Sequence, residues 1–368
     1  MKFSTNKPYT ALKCAFFYTM YLNSIKRRLN TPNDIKKLFN DYSLSISGLM
    51  TGAASNAKIS KNLNFDNIPP AVILHHLPDK QINHVINKDN AAETINRQYI
   101  EKLAELSKKF NLTDKLKTYT GCAYSSAGCR KSCLVFSGRS NIFKAVQYAR
   151  GRRTLAAIDR PTAYARGLVF SIAHHYKKAG GALSVRLKGT DENNIHFKRV
   201  SLTVPEINNL NSYYGLNIVY SDKPRVISEI FNNDSIIWYE YSKAPISYLK
   251  RLTALNIDVT ASLVADRPTG AADAITAINA GYRLAVPVTL NKAGRIPRRL
   301  IISDNNGRLV NIKCFNGDLF DYRPANPQKC AVILKAKKSA GGDILSAFFI
   351  ADKVGRQNIG GGHIQLIY

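Results

Sequence analysis

Cys122, Cys129 and Cys133 stand as C-x6-C-x3-C in the segment TGCAYSSAGCRKSC, with Arg130 and Lys131 between the last two. Neighbouring cations favour the thiolate, which is both the nucleophile and the metal ligand. Three such groups within twelve residues, on a backbone kept pliable by Ser125, Ser126, Ala127 and Gly128, suit zinc or an iron–sulfur cluster with one open or distant position. The spacing matches no standard zinc-finger or ferredoxin pattern. A redox or nucleophilic cysteine and plain buried thiols therefore stay open as readings. Cys314 and Cys330 flank later apolar runs and read as core.

A second set of candidates closes apolar runs. Arg186, Lys188, Thr190, Asp191 and Glu192 end LSVRLKGTDE, and Glu240, Tyr241 and Lys243 end IIWYEYSK. Alternation along a strand puts Arg186 and Lys188 on one face, and sets Glu240 opposite Tyr239 and Tyr241. Carboxylates with lysine or arginine at such a mouth could bind a divalent cation or neutralise phosphate charge, so Asp191, Glu240 and Lys243 are the catalytic candidates. The competing reading is a set of structural ion pairs. Asp318, Asp321 and Arg323 in NGDLFDYR form a compact acidic turn that reads as structural. His75-His76 and His174-His175 lack the spacing of a metal-binding helix, and Gly360–Gly362 lacks the Lys-Ser/Thr of a phosphate loop.

The elements that must position these residues fall into three stretches. Residues 1–115 read as a mostly helical accessory segment. Thr31-Pro32-Asn33-Asp34 opens one helix, a second runs from about Ala91 to Phe110, and residues 48–67 read as a loop. From residue 116 the pattern becomes α/β. KLKTYTGCAY reads as a strand leading into the cysteine loop, residues 141–158 as a basic helix, and Arg160-Pro161 as the start of another ending near Lys177-Lys178. Strand candidates follow at 183–189, 216–220, 235–241, 257–264 and 282–288, with helical segments between them. That alternation predicts a parallel sheet, as a complete or partial (β/α) barrel-like core. Asn306-Gly307 between apolar runs predicts a C-terminal β-hairpin, and 330–338 with 344–352 reads as a further antiparallel pair. The domains are thus 1–115 and 116–368.

The 368 residues carry 53 Lys+Arg against 25 Asp+Glu, a formal charge of +28. With 45% hydrophobic residues this excludes a disordered tail, a disulfide miniprotein and a fibrous repeat. A surface this basic concentrates polyanions, and nucleic acid is the expected partner. The charge clusters: thirteen Lys/Arg lie between Arg130 and Lys188 with Asp159 as the one acid. Arg130, Lys131, Arg139, Arg150, Arg152, Arg153, Arg186 and Lys188 are the candidate phosphate contacts. Six unevenly spaced cysteines point to a reducing compartment rather than a disulfide scaffold. The apolar run Ala15–Leu22 falls far short of the roughly 20 residues a span needs, so no membrane role and a cytoplasmic location are expected.

Taken in order, TGCAYSSAGCRKSCLVFSGR, ARGRRT, VRLKGTDE, WYEYSK, NGDLFDYR and VILKAKK resemble successive blocks of the bacteriophage gene product 88 family, over about residues 116–340. By position the resemblance nominates Cys122, Cys129, Cys133, Arg152, Arg153, Thr154, Arg186, Gly189, Thr190, Asp191, Tyr239, Tyr241, Lys243, Asp318, Asp321 and Arg323. The chain departs from the family pattern at Lys188, at Glu240 and in ASLVADRP. The resemblance implies a phage or prophage origin, hence the host cytoplasm, and carries no reaction with it.

Three functions compete on these grounds. The first is a phage DNA-metabolism protein that binds nucleic acid and holds a cysteine-ligated metal or iron–sulfur cluster, acting as an enzyme. The second is a radical enzyme similar to the S-adenosylmethionine type, although C-x6-C-x3-C departs from that family's usual C-x3-C-x2-C. The third is a non-catalytic replication-accessory or host-interaction protein with structural zinc.

Overall fold

The computed structural model describes residues 31–52, 57–77, 97–131, 133, 144–289, 295–336, 349–351 and 355–368. Arg139, the 15–22 run and most of 344–352 lie outside the described residues, as do the side chains of Lys131 and Lys144.

Fourteen strands are described: β1 (Thr51–Gly52), β2 (Ala71–Ile73), β3 (Leu183–Arg186), β4 (Arg199–Val200), β5 (Arg225–Val226), β6 (Ile236–Ser242), β7 (Ile257–Ser262), β8 (Arg283–Thr289), β9 (Arg299–Asp304), β10 (Leu309–Asn316), β11 (Ala331–Lys335), β12 (Ile350–Ala351), β13 (Arg356–Ile359) and β14 (Gly362–Ile367). All but β4 and β5 share one sheet of order β1-β2-β3-β6-β7-β8-β11-β10-β9-β14-β13, with β12 also on β8. From β2 through β8 to β11 and β10 every pairing is parallel. The sheet is large and mostly parallel, and among the described residues no ladder joins β1 to β13 to complete a barrel. The parallel strands nonetheless follow one another in chain order from β2 to β8, as successive crossovers in one direction produce.

Residues 1–115 supply more than helices. The segment read as a loop contains β1, the short helix Ala57–Ser60 and a helical turn at Lys61–Asn64, and β2 pairs Val72 with Val185 of β3, making this stretch an edge of the main sheet. The helix Asn33–Asp41 starts after Pro32 with Asp34 in its first turn, and it buries Ile35, Leu38 and Phe39. It packs with the short helix Ile46–Leu49 on the helix Pro161–Lys178. There an added Cβ at Gly167 would come within 2.9 Å of the Phe39 ring. The helix 161–178 takes its first-turn proline without losing a hydrogen bond, and it stops where Gly180 and Gly181 adopt positive φ.

Several expected elements differ. KLKTYTGCAY is not a strand: Thr113–Thr118 is helical, with Asp114 in its first turn and Lys115 and Lys117 in its last. Residues 216–220 belong to no strand, with Val219 72% exposed. The pair expected at 330–338 and 344–352 is not antiparallel, since β11 and β12 both run parallel to β8. Apolar runs announce burial but not the direction of the neighbouring strand. The Asn306-Gly307 hairpin is present, joining β9 to β10 with Gly307 at φ +78°.

Candidate functional site

The carboxyl ends of β2, β3, β6 and β7 lie side by side, and the chain runs from each into a polar segment: His75-His76, Lys188–Asn193, Lys243 and Asp266-Arg267. In parallel sheets ligands collect at this edge. Here it is filled by charges that pair inside the fold.

Glu240 is fully buried on β6. Its Oε1 accepts from the Leu187 N–H at 2.6 Å, the Lys188 N–H at 2.8 Å and His196 Nε2 at 2.9 Å, while Arg186 Nε lies 3.6 Å from Oε2. Burial pushes its carboxyl up, but the His196 hydrogen bond and the charges of His196, Arg186 and Lys188 bring it below the ordinary value. Arg186 also reaches Asp321 at 3.5 Å and lies over the Tyr241 ring at 4.5 Å. Burial lowers its pKa, and Asp321 and Glu240 more than reverse this. The acidic turn is thus an ionic anchor: Tyr239 donates to Asp321, Asp321 N–H donates to Asn62, and the buried Arg323 donates to the carbonyls of Gly317, Phe320 and Asp321. Asp318 accepts from the Lys335 N–H.

Asp191 sits in a second buried set. His76 joins it at 3.1 Å through Nδ1 and meets Tyr164 at 2.9 Å through Nε2, and Asn193 donates to the same carboxylate oxygen. The other oxygen, Oδ1, is buried with no hydrogen-bond partner among the described residues. Lys188, 1% exposed, donates to Glu192 at 3.1 Å. Glu192 also accepts from Ser242 Oγ and from the Lys243 N–H.

Three of the six described candidate phosphate contacts are interior. Arg150, Arg186 and Lys188 are buried. Arg152 donates to the carbonyls of Tyr42 and Ser43, and Arg153 to that of Gly48, tying two helices together. Burial and then the neighbouring Arg153 lower Arg150 to about 10. Of the nominated cations Arg130 is exposed, and Arg139 and the Lys131 side chain lie outside the described residues. A charge count does not separate solvated cations from cations paired in the interior, hence the difference.

The cysteine loop lies over this same edge. Glu192 N–H donates to Gly121 O at 2.5 Å. Gly128 N–H donates to Asp266 at 2.7 Å, and Arg267 bridges the carbonyls of Tyr124 and Lys243 at 2.7 and 3.1 Å. The Lys243 ammonium is raised above its ordinary value by Cys129 first, against the cost of burial, and then by Glu192, Cys122 and Cys133. Among the described residues no three of His, Cys, Asp and Glu stand close enough to hold a single metal ion. A cavity of about 110 Å³ opens beside Lys243 and Arg267, walled by Ala261, Leu263, Leu249 and Ala274.

Glu192, Asp266 and Arg267 are the residues that motif reading undervalued. Their signal was the same as for Lys243, a charged residue just beyond a strand end. Gly360–Gly362 is a packing device: a Cβ on Gly360 would lie 1.7 Å from Arg267 O, so only glycine admits that approach.

Comparison with known families places this site in context. Residues 84–192 match the family model of gene product 88. The gene product 88 match takes in the cysteine loop, the helices 144–159 and 161–178, β3 and Asp191, and begins earlier than the motif blocks suggest. It stops before β6, so Lys243 and the acidic turn lie outside it. No curated protein and no solved structure matches the chain. Among the described residues no helix is long and apolar enough to cross a membrane.

Proposed function

We propose that the chain is a phage enzyme of nucleic-acid metabolism, working in the host cytoplasm. Its reaction centre lies at the carboxyl ends of β3, β6 and β7, where Cys122, Cys129 and Cys133 hold an iron–sulfur cluster or zinc beside Lys243. The observation that carries this reading is that the cysteine loop is tied to the strand end bearing Lys243, with Arg267 donating to both Tyr124 O and Lys243 O. The donor set fits such a group in its chemistry, because the ammonium offsets the charge of thiolate ligands. When bound, the group would supply electron transfer if a cluster, or a Lewis acid if zinc. Lys243 then contributes a fixed positive charge, and the adjacent cavity leaves room for a small reacting group.

Nucleic acid as substrate rests on the +28 charge, not on the buried arginines. On duplex DNA, log K should fall with log salt by about 0.9 per phosphate contacted, and a flat dependence would remove nucleic acid as the partner. Because Arg150 is interior and Arg152 and Arg153 bind backbone, their alanine variants test the fold rather than that surface. Elemental analysis and visible absorbance of anaerobically purified protein test the cysteine centre: iron with sulfide, or zinc, lost in Cys129→Ala, is the expected result.

One observation favours a second reading, a radical enzyme similar to the S-adenosylmethionine type. The loop follows the first parallel strand, β2, and stands over consecutive strand ends. Iron-free, colourless anaerobic protein would exclude it.

A further inference from the structure

A group of surface cations gathers beyond the Arg130–Lys188 cluster. Past Glu192 the chain makes a small layer of its own, in which β4 pairs with β5 and the helix Val204–Tyr214 is followed by a return segment, 216–224. Asn211 on that helix fastens the segment by two hydrogen bonds to Ile218, at 2.8 and 2.9 Å, and Leu216 and Ile218 join the core. The next two residues face water: Val219 is 72% and Tyr220 55% exposed. Arg225 donates to Val219 O at 2.6 Å and Arg199 to Pro224 O at 2.9 Å, each through one terminal nitrogen, so both guanidiniums are fixed beside this ridge. Lys198, Arg199 and Lys223 are exposed, as are Lys250 and Arg251 on the helix Ile246–Thr253. Arg251 lies over the Phe197 ring at 4.3 Å, Phe197 meets Tyr248 edge to face at 5.4 Å, and the Lys188 ammonium is 5.0 Å from the Tyr248 ring. Rings and cations thus lead from the carboxyl edge of the sheet out to Tyr220, with Asp222 and Glu229 as exposed acids beside them.

We propose that this track from Phe197 to Tyr220 binds single-stranded nucleic acid, its cations following the phosphates and Tyr220 stacking on a base. The inference rests on the nucleic-acid part of the reading above and on none of its metal chemistry. Cations alone would suit any polyanion. The exposed ring among them narrows the choice, because every base offers a π-face to an aromatic side chain and an unpaired strand leaves that face open. Duplex DNA would engage the same lysines and arginines through its phosphates while keeping its base faces stacked on one another.

The test follows, by fluorescence anisotropy on the full chain over a range of salt, the binding of labelled oligo(dT) of about twelve nucleotides, within the span of one such groove. Wild type should bind with log K falling by about 0.7 per phosphate contacted as log salt rises. Tyr220→Ala and Tyr220→Leu should each bind about tenfold more weakly, the loss of one base stack, while Tyr220→Phe should match wild type. Lys198→Gln combined with Lys223→Gln should flatten the salt slope by about 1.4, two contacts' worth. Lys313→Gln, which removes an exposed cation from β10, should leave the affinity as in wild type. Heparin, which carries charge and no bases, should bind wild type and the Tyr220 variants alike. Because Tyr220 is exposed, thermal melts should be unchanged, and if Tyr220→Ala melts early then Tyr220→Leu, which keeps apolar area, carries the test. Equal oligo(dT) binding by wild type, the folded Tyr220 variants and the lysine pair would overturn the track and leave nucleic acid bound elsewhere. A Tyr220→Ala loss that is as large with heparin or with duplex DNA would overturn the stacking and the single strand. No salt-dependent binding of oligo(dT) by wild type would remove the nucleic-acid reading itself, and the track with it.

Discussion

Strands β6 and β14 belong to one sheet and are built on opposite plans. In β14 burial alternates, with Ile364 and Leu366 inward and His363 and Gln365 partly exposed, and β10 alternates in the same way. This is the pattern of an antiparallel meander with one face on a core. In β6 six of seven residues are buried, among them Glu240, whose Oε1 accepts from the Leu187 N–H, and Ser242, whose hydroxyl donates to Glu192. A strand covered on both faces could have been wholly apolar. Charges placed there stabilise little compared with apolar packing, while removal of one partner strands the others. The meander is built for packing, and the parallel centre for holding charged groups in fixed places.

The contrast can be broken most sharply at Glu240. Glu240→Ala strands three donors at once and leaves Arg186 with Asp321 alone as its carboxylate, and should lower stability by about 3–5 kcal/mol in urea melts. A loss under about 1 kcal/mol would mean that the network is not a structural unit. In the meander, Ile364→Ala should cost about 2–4 kcal/mol through lost packing alone, and should leave thiol labelling of the cysteine loop as in wild type. Coupling between the two would contradict their separation.

A pH series gives a smaller effect. Burial lowers the pKa of His75 well below its ordinary value and that of His175 to about 4, so both are neutral in the fold while the unfolded chain takes up protons below about 6.5. Their contribution is therefore present above about 6.5 and lost as pH falls towards 4. For His175, partly exposed, the loss is on the order of 2 kcal/mol or less. Melting temperatures that hold level between pH 7 and 5 would contradict the neutral assignment. The smallest effect belongs to the exposed side of the meander, where Gln365→Thr should stay within about 0.5 kcal/mol.

The two regions were also unequally legible from sequence. Asn306-Gly307 between apolar runs gave the β9–β10 hairpin outright, because the turn passes through the left-handed region at Gly307. Strands β3, β6, β7 and β8 were visible as apolar runs, and the residues closing them were the right ones to suspect. Their partners were not visible. Nothing in the spacing of Arg186, Glu240 and Asp321 says that three distant segments meet, nor that Arg150 is buried while Arg130 is exposed. The strand β2 was missed because three residues followed by His-His carry no alternation. The link from the cysteine loop to Asp266 and Arg267 spans more than a hundred residues and is a fact of topology.

The central claim is that the three cysteines and Lys243 form one centre. The most direct measurement is iron, sulfide and zinc content with visible absorbance on anaerobically purified wild type, beside Cys129→Ala. The account predicts one cluster or one zinc per chain, lost in the variant with the fold retained. Folded wild-type protein without metal or colour, and unchanged by the substitution, would contradict it.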